Sequence, residues 1–269
     1  FDRGVPAKLR DLSRTGRHIR VTDVVLLLAA GIVGGLTGSI AGLASVATYP
    51  ALLVVGLPPV TANVTNTVAL VFNGVGSVWG SRPELAGRRA WIMRLVPGAA
   101  LGGLAGAVLL LSIPPEGFEN SVPPLLALAA LAIAVPRRAD RDQTGAGHSR
   151  LLMLQAAAVF VVSIYSGYFG AAAGVLLLAV LLNLSDATLA TANAGKNLTL
   201  GVANTVAAAV FAVVAPVQWA AVAPLGAGCL IGSRLGPVVV RHAPATPLRL
   251  LIAASGLALA VKLGLDTYL

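Results

Sequence analysis

The 269-residue chain is too apolar for an ordinary soluble domain, since 57% of its residues are hydrophobic and 11% are charged. Soluble domains average about 25% charged residues. The net charge of +9 does not indicate a nucleic-acid partner, because the basic residues cluster in the N-terminal tail and in short loops. Cys229 is the single cysteine, which excludes an intrachain disulfide and a cysteine-rich metal site. The composition therefore predicts an all-α polytopic membrane protein.

The chain opens with a basic segment, residues 1–21, that we interpret as a tail on the cytoplasmic side. Its basic residues are Arg3, Lys8, Arg10, Arg14, Arg17 and Arg20. The apolar stretch Val24–Leu57 follows and is too long for one crossing of about 20 residues. Because glycines and Pro50 interrupt it, we predict a helix, a break near Gly42–Pro50 and a short half-helix.

The rest of the first half alternates between apolar helices and short loops. In chain order we predict a helix over Thr61–Gly80, a basic loop with Arg82, Arg88 and Arg89, a helix over Trp91–Leu111, an acidic loop over Ile113–Ser121 and a short apolar segment over Val122–Val135. We divide the chain into the tail, a first transmembrane repeat at 22–136, a hydrophilic cytoplasmic loop at 137–150 and a second repeat at 151–269.

The second half follows the same plan. Leu151–Leu182 is again long and is broken by three glycines: Gly167, Gly170 and Gly174. A turn over Asn183–Asp186 precedes the next helix, which Ser185 or Asp186 is predicted to cap. Two further helices are predicted, over Val217–Val240 and Leu248–Leu265.

Short motifs recur about 130 residues apart and indicate an internal duplication. Thr61-Ala62-Asn63 recurs as Thr191-Ala192-Asn193. The glycines at 98, 102 and 106 recur at 228, 232 and 236, and their four-residue spacing predicts close helix packing. Asparagines seven residues apart also occur in both halves, namely Asn66 with Asn73 and Asn197 with Asn204.

The charges of the loops predict that the two repeats are inverted. In the first half a basic loop precedes an acidic one, whereas in the second half the uncharged loop Ala215–Gln218 precedes the basic loop Arg241–Arg249. By the positive-inside rule the halves then cross the membrane in opposite directions, which is common in secondary transporters. Inversion needs an odd number of crossings in each half, so we expect one of the broken segments to contribute an extra crossing. The total is then about eight or nine transmembrane segments.

Lys196 is the one charge in the middle of a long apolar stretch, Ala187–Asn204, and all ten acidic residues lie near segment ends or in loops. A charged side chain at the membrane centre costs about 2.5–3.5 kcal/mol, so it usually faces a cavity or a partner. With no carboxylate nearby in the sequence, Lys196 is suited to bind a mobile anion. The sequence therefore predicts an anion site near the midplane.

Neutral polar residues accompany Lys196 in both halves. The predicted substrate-binding residues are Asn63, Thr65, Asn66, Thr67, Asn193, Lys196 and Asn197, and the predicted backbone breaks near the site are at Gly42, Ser45, Gly170 and Gly174. Such breaks are expected to expose backbone N–H groups and helix N-termini, which favour anions. The alternative is that the asparagines and threonines only join helices through modest hydrogen bonds.

No set of residues indicates catalysis or a metal site. His18, His148 and His242 lie in the tail or in loops, and no zinc spacing, serine–histidine–acid set or phosphate-binding loop occurs. We therefore predict that the protein is not an enzyme and that it uses no cofactor or metal.

The chain resembles the sulfite exporter TauE/SafE family of bacterial permeases, from about Val24 onwards. The motifs that carry the resemblance are AGLASVATYPALLVVGLPPVTANVTNTVAL (Ala41–Leu70), WGSRPEL (Trp79–Leu85), SGYFGAAAGVLLLAVLL (Ser166–Leu182) and ANAGKN (Ala192–Asn197). The resemblance implies transport of small anions, typically sulfite, sulfonates or other organosulfur compounds.

We therefore expect a multi-pass permease of the bacterial cytoplasmic membrane with a cytoplasmic N-terminus. It would move sulfite or an organosulfur anion, with export favoured. Its partners would be the small anion and the lipid bilayer, without nucleic acid, and a homo-oligomer stays open. One alternative is an importer of a small organic or sulfur anion coupled to sodium or protons. The other is a membrane scaffold or assembly protein that transports nothing.

Overall fold

A computed structural model of the chain describes residues 20–113, 145–170, 173–185 and 187–242. Throughout these ranges the regular structure is helical. The helices are α1 (Val21–Ala41), α2 (Ala44–Val54), α3 (Pro59–Gly80), α4 (Arg82–Leu85), α5 (Arg89–Ser112), α6 (Gly145–Tyr168), α7 (Ala173–Leu184), α8 (Leu189–Val214) and α9 (Trp219–His242).

Five of the described helices, α1, α5, α6, α8 and α9, are long and apolar enough to cross a membrane. The helix α3 has 22 residues, about 33 Å, which is also long enough, but its polar residues lower its hydropathy. Those polar residues, including Asn63, Thr65 and Asn66, are buried in the bundle. The helices are those of a multi-pass membrane protein.

The helices α1 and α2 form an antiparallel hairpin. Gly42 ends α1 in the left-handed conformation, with φ of 78°, and α2 starts two residues later. Gly34 packs against Thr48, whereas Gly38, closer to the tip, packs against Ala44. The corresponding break in the second half is at Gly170, with φ of 72°, between α6 and α7, which pack on each other and which we call the second hairpin.

Glycines bring α1 close to α9, and the two helices run in the same direction. Gly31 lies against Leu225 and Gly228, and Gly236 lies against Ser39. A Cβ on any of these glycines would overlap atoms of the neighbouring helix, so only small residues permit the contact. This confirms the predicted packing role of the second glycine triplet.

The first triplet serves the same purpose between α5 and α6, which also run in the same direction. Gly102 lies against Phe160 and Ser163, and Gly106 lies against Ile164. The pairs α1–α9 and α5–α6 each join a helix of one half to a helix of the other. The core is therefore built from both halves together.

The directions of the central helices follow from their contacts. On α3, Thr65 accepts a hydrogen bond from the Gln218 backbone N–H at 3.0 Å, and Gly74 contacts Gly201, so α3 and α8 are antiparallel. Packing of the Phe72 ring on Gly226, and of Gly80 against Arg234, makes α3 parallel to α9.

An ion pair marks one end of the bundle. Arg241, at the end of α9, contacts Glu84 of α4 at 2.6 Å, and it also donates to the Gly80 carbonyl. Because α1 is parallel to α9, the start of α1 at Val21 lies at the opposite end of the bundle.

Several predicted boundaries need correction. Pro50 lies inside α2 and not in the break, which is confined to Gly42 and Leu43. A proline within a membrane helix is tolerated when its surroundings satisfy the freed carbonyl. The helix α6 continues through Gly167, and it begins at Gly145, within the segment predicted as a hydrophilic loop.

The cap of α8 is Thr188, whose Oγ1 accepts a hydrogen bond from the Thr191 N–H at 3.2 Å, so the predicted cap at Ser185 or Asp186 is wrong. The helix α7 extends to Leu184, which moves the cap three residues beyond Ser185. The predicted segments Val122–Val135 and Leu248–Leu265 lie outside the described residues.

Candidate functional site

The hairpin tips meet inside the bundle. Gly42, at the tip of the first hairpin, contacts Gly174 at the start of α7 through backbone atoms. An added Cβ at either position would overlap the other residue, and the positive φ of Gly42 further favours glycine. The two hairpins therefore approach as closely as their backbones allow.

Lys196 on α8 is completely buried, and its ammonium group lies at the carbonyl end of α1. Its Nζ donates to the Gly38 carbonyl at 3.0 Å and to the Ser39 carbonyl at 3.2 Å. The last carbonyls of a helix lack partners within the helix and carry partial negative charge, so they favour a cation. Lys196 is thus paired with the carbonyl end of a helix and not with a carboxylate.

Two asparagines beside Lys196 bind the same carbonyl. Asn193 Nδ2 donates to the Ser39 oxygen at 3.0 Å, and Asn197 Nδ2 donates to it at 3.2 Å. In the first half Asn63, the counterpart of Asn193, donates to the Tyr168 carbonyl at 3.1 Å, at the end of α6. Each half therefore supplies an asparagine that caps the first helix of the other half.

The remaining predicted residues of α3 are Asn66, Thr67 and Thr65, and each makes a hydrogen bond to another residue. Asn66 Nδ2 donates to the Ser45 hydroxyl at 3.2 Å, which joins α3 to the start of α2. Thr67 donates to the Asn63 carbonyl of its own helix. Thr65 accepts from Gln218 and thereby joins α3 to the chain before α9.

A small cavity of about 20 Å³ lies between the hairpin tips and the crossing of α3 and α8. Four of the predicted residues line it: Gly42, Ser45, Gly170 and Asn197. The other predicted residues do not line it: Asn63, Thr65, Asn66, Thr67, Gly174, Asn193 and Lys196. The structure thus brings the predicted residues to one region but places only some of them at the cavity.

Several residues of the cavity were not predicted as site residues, and they include Asn73, Ser166 and Asn204. Ser166 donates to Asn204 Oδ1 at 3.1 Å. The seven-residue spacing from Asn66 to Asn73, repeated from Asn197 to Asn204, was the available signal. It placed Asn73 and Asn204 two helical turns further along the same faces of α3 and α8.

Some hydrogen-bonding groups of the predicted site residues, and of the cavity residue Asn73, remain unused. The Oδ1 atoms of Asn63, Asn66, Asn73 and Asn193 are buried without a partner among the described residues. Lys196 has three N–H donors, and the two contacts to α1 leave one over. Ala44 and Ser45, which line the cavity, form the first turn of α2, and the first N–H groups of a helix have no partner within it.

Within the described part of the chain, no group of three or more His, Cys, Asp or Glu residues could hold a metal ion. The chemistry that the site offers is hydrogen bonding, one buried ammonium group and the dipoles of helix ends.

Membrane-length helices pack around a small cavity that asparagine and serine residues help to line, and the short helix α2 begins at it, an arrangement typical of membrane transporters. The chain matches the sulfite exporter TauE/SafE family over residues 26–263, and it therefore belongs to that family of membrane transporters. This confirms the resemblance inferred from the motifs, and it supports a non-enzymatic role.

Two bacterial relatives cover almost the whole chain. A protein of a Sinorhizobium species, described as probable membrane transporter protein ORF9, is 28% identical over 250 residues, which are 90% of this chain and 93% of the relative. A probable membrane transporter protein of Haemophilus influenzae is 25% identical over 251 residues, or 92% and 97% of the two chains. No solved structure matches the chain significantly.

Proposed function

We propose that this protein moves a small anion, sulfite or an organosulfonate, across the bacterial cytoplasmic membrane, with export favoured. The observation that carries the proposal is the buried Lys196 ammonium group, which donates to the carbonyl of Gly38, a residue that lines the small cavity between the halves. The names of the family and of the two relatives support a transported substrate. The positive charge, together with the N-terminus of α2, selects for an anion.

The cavity of about 20 Å³ has room for little more than one water molecule, which needs about 10–15 Å³. Sulfite, with four heavy atoms, requires a larger space. The structure is then a closed state, and the hairpin tips at Gly42 and Gly170 must separate to admit the substrate. The contact of Gly42 with Gly174 joins the two tips, so this contact would have to open.

We further propose that residues 22–136 and 151–269 are inverted repeats with eight or nine crossings in total. The support comes from helix direction: α1, α3 and α9 run one way, whereas α5, α6 and α8 run the other way. Each described long helix of the first half is therefore antiparallel to its counterpart in the second half. Reciprocal capping by Asn63 and Asn193 supports the same relation.

The orientation in the membrane is a separate proposal, because the two basic regions lie at opposite ends of the bundle. The loop with Arg82 and Arg88 lies at the end that also holds Arg241, whereas α1 begins at the other end. We propose that the end with these three arginines faces the cytoplasm. The start of α1 would then face outward, contrary to the cytoplasmic N-terminus predicted from the tail.

Labelling with a membrane-impermeant maleimide in intact cells tests the orientation. In a Cys229→Ala background, Val21→Cys and Pro58→Cys should react from outside, whereas Ala86→Cys should react only after the membrane is opened. Val21 is 81% exposed, so a failure to react would not come from burial in the bundle. Reaction of Ala86→Cys alone in intact cells would reverse the proposed orientation.

Flux measurements in proteoliposomes test the function. Labelled sulfite and short-chain sulfonates should cross vesicles that contain the purified protein faster than protein-free vesicles. Folding of the reconstituted protein is checked by its thermal unfolding in detergent. Absence of flux for every anion from folded protein would contradict the proposal and favour the scaffold alternative.

A further inference from the structure

A second space, a cleft of about 440 Å³, lies between α3 and α8 on the far side of their crossing. Gly74 and Gly201 line both this cleft and the small cavity, and these residues are in contact with each other. Only glycine backbone therefore separates the two spaces at this point. A slight separation of α3 from α8 would join them.

The walls of the cleft are apolar. They consist largely of Val71, Val75, Val78, Leu198, Val202 and Val206. Thr205 is also present, but its hydroxyl group donates to the Gly201 carbonyl of its own helix at 2.6 Å. A bare oxyanion in this cleft would lose hydration and find few donors, which is unfavourable. An alkyl group would instead gain from burial here.

A positive charge lies at one end of the cleft. The Arg82 guanidinium group is stacked on the Trp79 ring, 5.4 Å from its centroid. Glu84, the acidic residue nearest to Arg82 in sequence, is engaged by Arg241 instead. Arg82 therefore offers its charge to a ligand in the cleft.

We propose that this cleft is the entry to the cavity and that it selects anions with a short alkyl group over bare oxyanions. Arg82 attracts the anionic head, the valines hold the alkyl group, and the contact of Gly74 with Gly201 closes the path. This inference rests on the proposed anion transport, and it names the substrate class that the same site prefers.

The experiment measures how methane-, ethane-, propane- and butanesulfonate inhibit sulfite flux in proteoliposomes. Affinity should rise by about fourfold per methylene group, the factor that corresponds to about 0.8 kcal/mol per buried CH₂. These short sulfonates stay charged and enter the bilayer poorly. Arg82→Gln should weaken inhibition by all four compounds by about threefold, whereas Arg88→Gln, at the same end of the bundle, should not.

Two tryptophan variants locate the effect. Val75 lines the cleft and is 53% exposed, whereas Val108 on α5 is 52% exposed and does not line it. Val75→Trp should abolish the dependence on chain length, and Val108→Trp should preserve it. Because both valines are equally exposed, a general effect of tryptophan on folding would appear in both variants.

If sulfite flux occurs but its inhibition does not depend on the chain length of the sulfonate, or if the two tryptophan variants behave alike, the inference is overturned and the proposed transport stays intact. A Val75→Trp effect that follows only the anionic phospholipid content of the vesicles would assign the cleft to a lipid and also overturn it. Absence of flux for all anions would remove the proposed function and this inference together.

Discussion

Lys196 lies at the carbonyl end of α1, next to Gly38 and Asn197, which line the cavity between the halves. Its contacts to the Gly38 and Ser39 carbonyls offset part of the cost of burying its charge. Each of these carbonyls also accepts another hydrogen bond, from the Gly42 N–H at 2.7 Å in one case and from Asn193 in the other. The lysine can therefore leave α1 without orphaning either oxygen.

Replacement of the lysine should separate its role in transport from any role in folding. Lys196→Met is expected to lower anion flux by about tenfold or more, since a charged hydrogen bond is worth about 1.5–3 kcal/mol. The melting temperature in detergent should change little, because both carbonyls keep other donors. The anion flux of Lys196→Arg should lie between those of the original protein and Lys196→Met, since arginine retains the charge but changes the geometry.

The matched control is Thr199→Val on the same helix. Thr199 is also fully buried, but its hydroxyl group donates only to the Gly195 carbonyl, one turn away. This variant should transport normally. Normal flux in Lys196→Met would show that the lysine is a helix cap and not the anion ligand.

The asparagine pair Asn63 and Asn193 provides a second test at this scale, because each binds the end of a helix in the opposite half. Asn63→Ala and Asn193→Ala should each destabilise the protein by only about 0.6 kcal/mol, the usual value for such bonds between membrane helices. Flux should fall by severalfold in both, since the hairpin tips lose their alignment.

Thr67→Val is the control for the asparagine variants. Its hydroxyl group donates to the Asn63 carbonyl within α3, so its loss should leave both hairpins in place. If flux and melting temperature fall in proportion in the asparagine variants, their role is helix packing alone.

At the scale of the helices, the hairpin tips are the elements that depend most on glycine. Gly42 combines a left-handed backbone with a backbone contact to Gly174. Gly87 has a similar φ of 73°, but no atom lies within 4 Å of the place where its Cβ would be. The two residues thus differ in packing and not in backbone conformation.

This difference gives a direct prediction for stability. Gly87→Ala should cost about 1–2 kcal/mol, the penalty for a side chain in the left-handed region. Gly42→Ala should cost about 1–3 kcal/mol more, because its methyl group meets Gly174. Thermal unfolding of the two variants in the same detergent measures the difference. Equal losses would mean that the tips are loosely packed and that their contact does not close the cavity.

The helices themselves were predictable from the sequence because their signals are local. The glycines near residue 42 indicated the first break, and the four-residue spacing of glycines indicated the close helix pairs. The partner of Lys196 was not predictable, since Gly38 lies 158 residues away in the chain. The position of Pro50 inside α2 also depends on surroundings that propensity rules do not include.

At the scale of the whole molecule, the two halves share one core. The helix α9 packs mainly on α1 and α3, and α5 packs mainly on α6 and α8. The cavity lies where the hairpins of both halves approach the crossing of α3 and α8. A change at the cavity therefore acts on both halves together, as alternating access requires.

The ionisable residues near the cavity bear on which force drives transport of the anion. Among the described residues, the lining includes no Asp, Glu or His residue that could carry a proton with the substrate. An inside-negative potential favours outward movement of an anion by about 2.3 kcal/mol per charge and per 100 mV. Export of a divalent anion would gain roughly twice that amount, and it would need no coupled ion.

We therefore expect electrogenic export or facilitated flow. In proteoliposomes with a clamped potassium diffusion potential, efflux of a monovalent sulfonate should rise as the interior becomes more negative, and efflux of divalent sulfite should rise more steeply. Removal of sodium or of the pH gradient should leave both rates unchanged. Rates that ignore the potential but follow a cation gradient would identify a coupled importer, because inward movement must overcome the same electrical term with energy from a second ion.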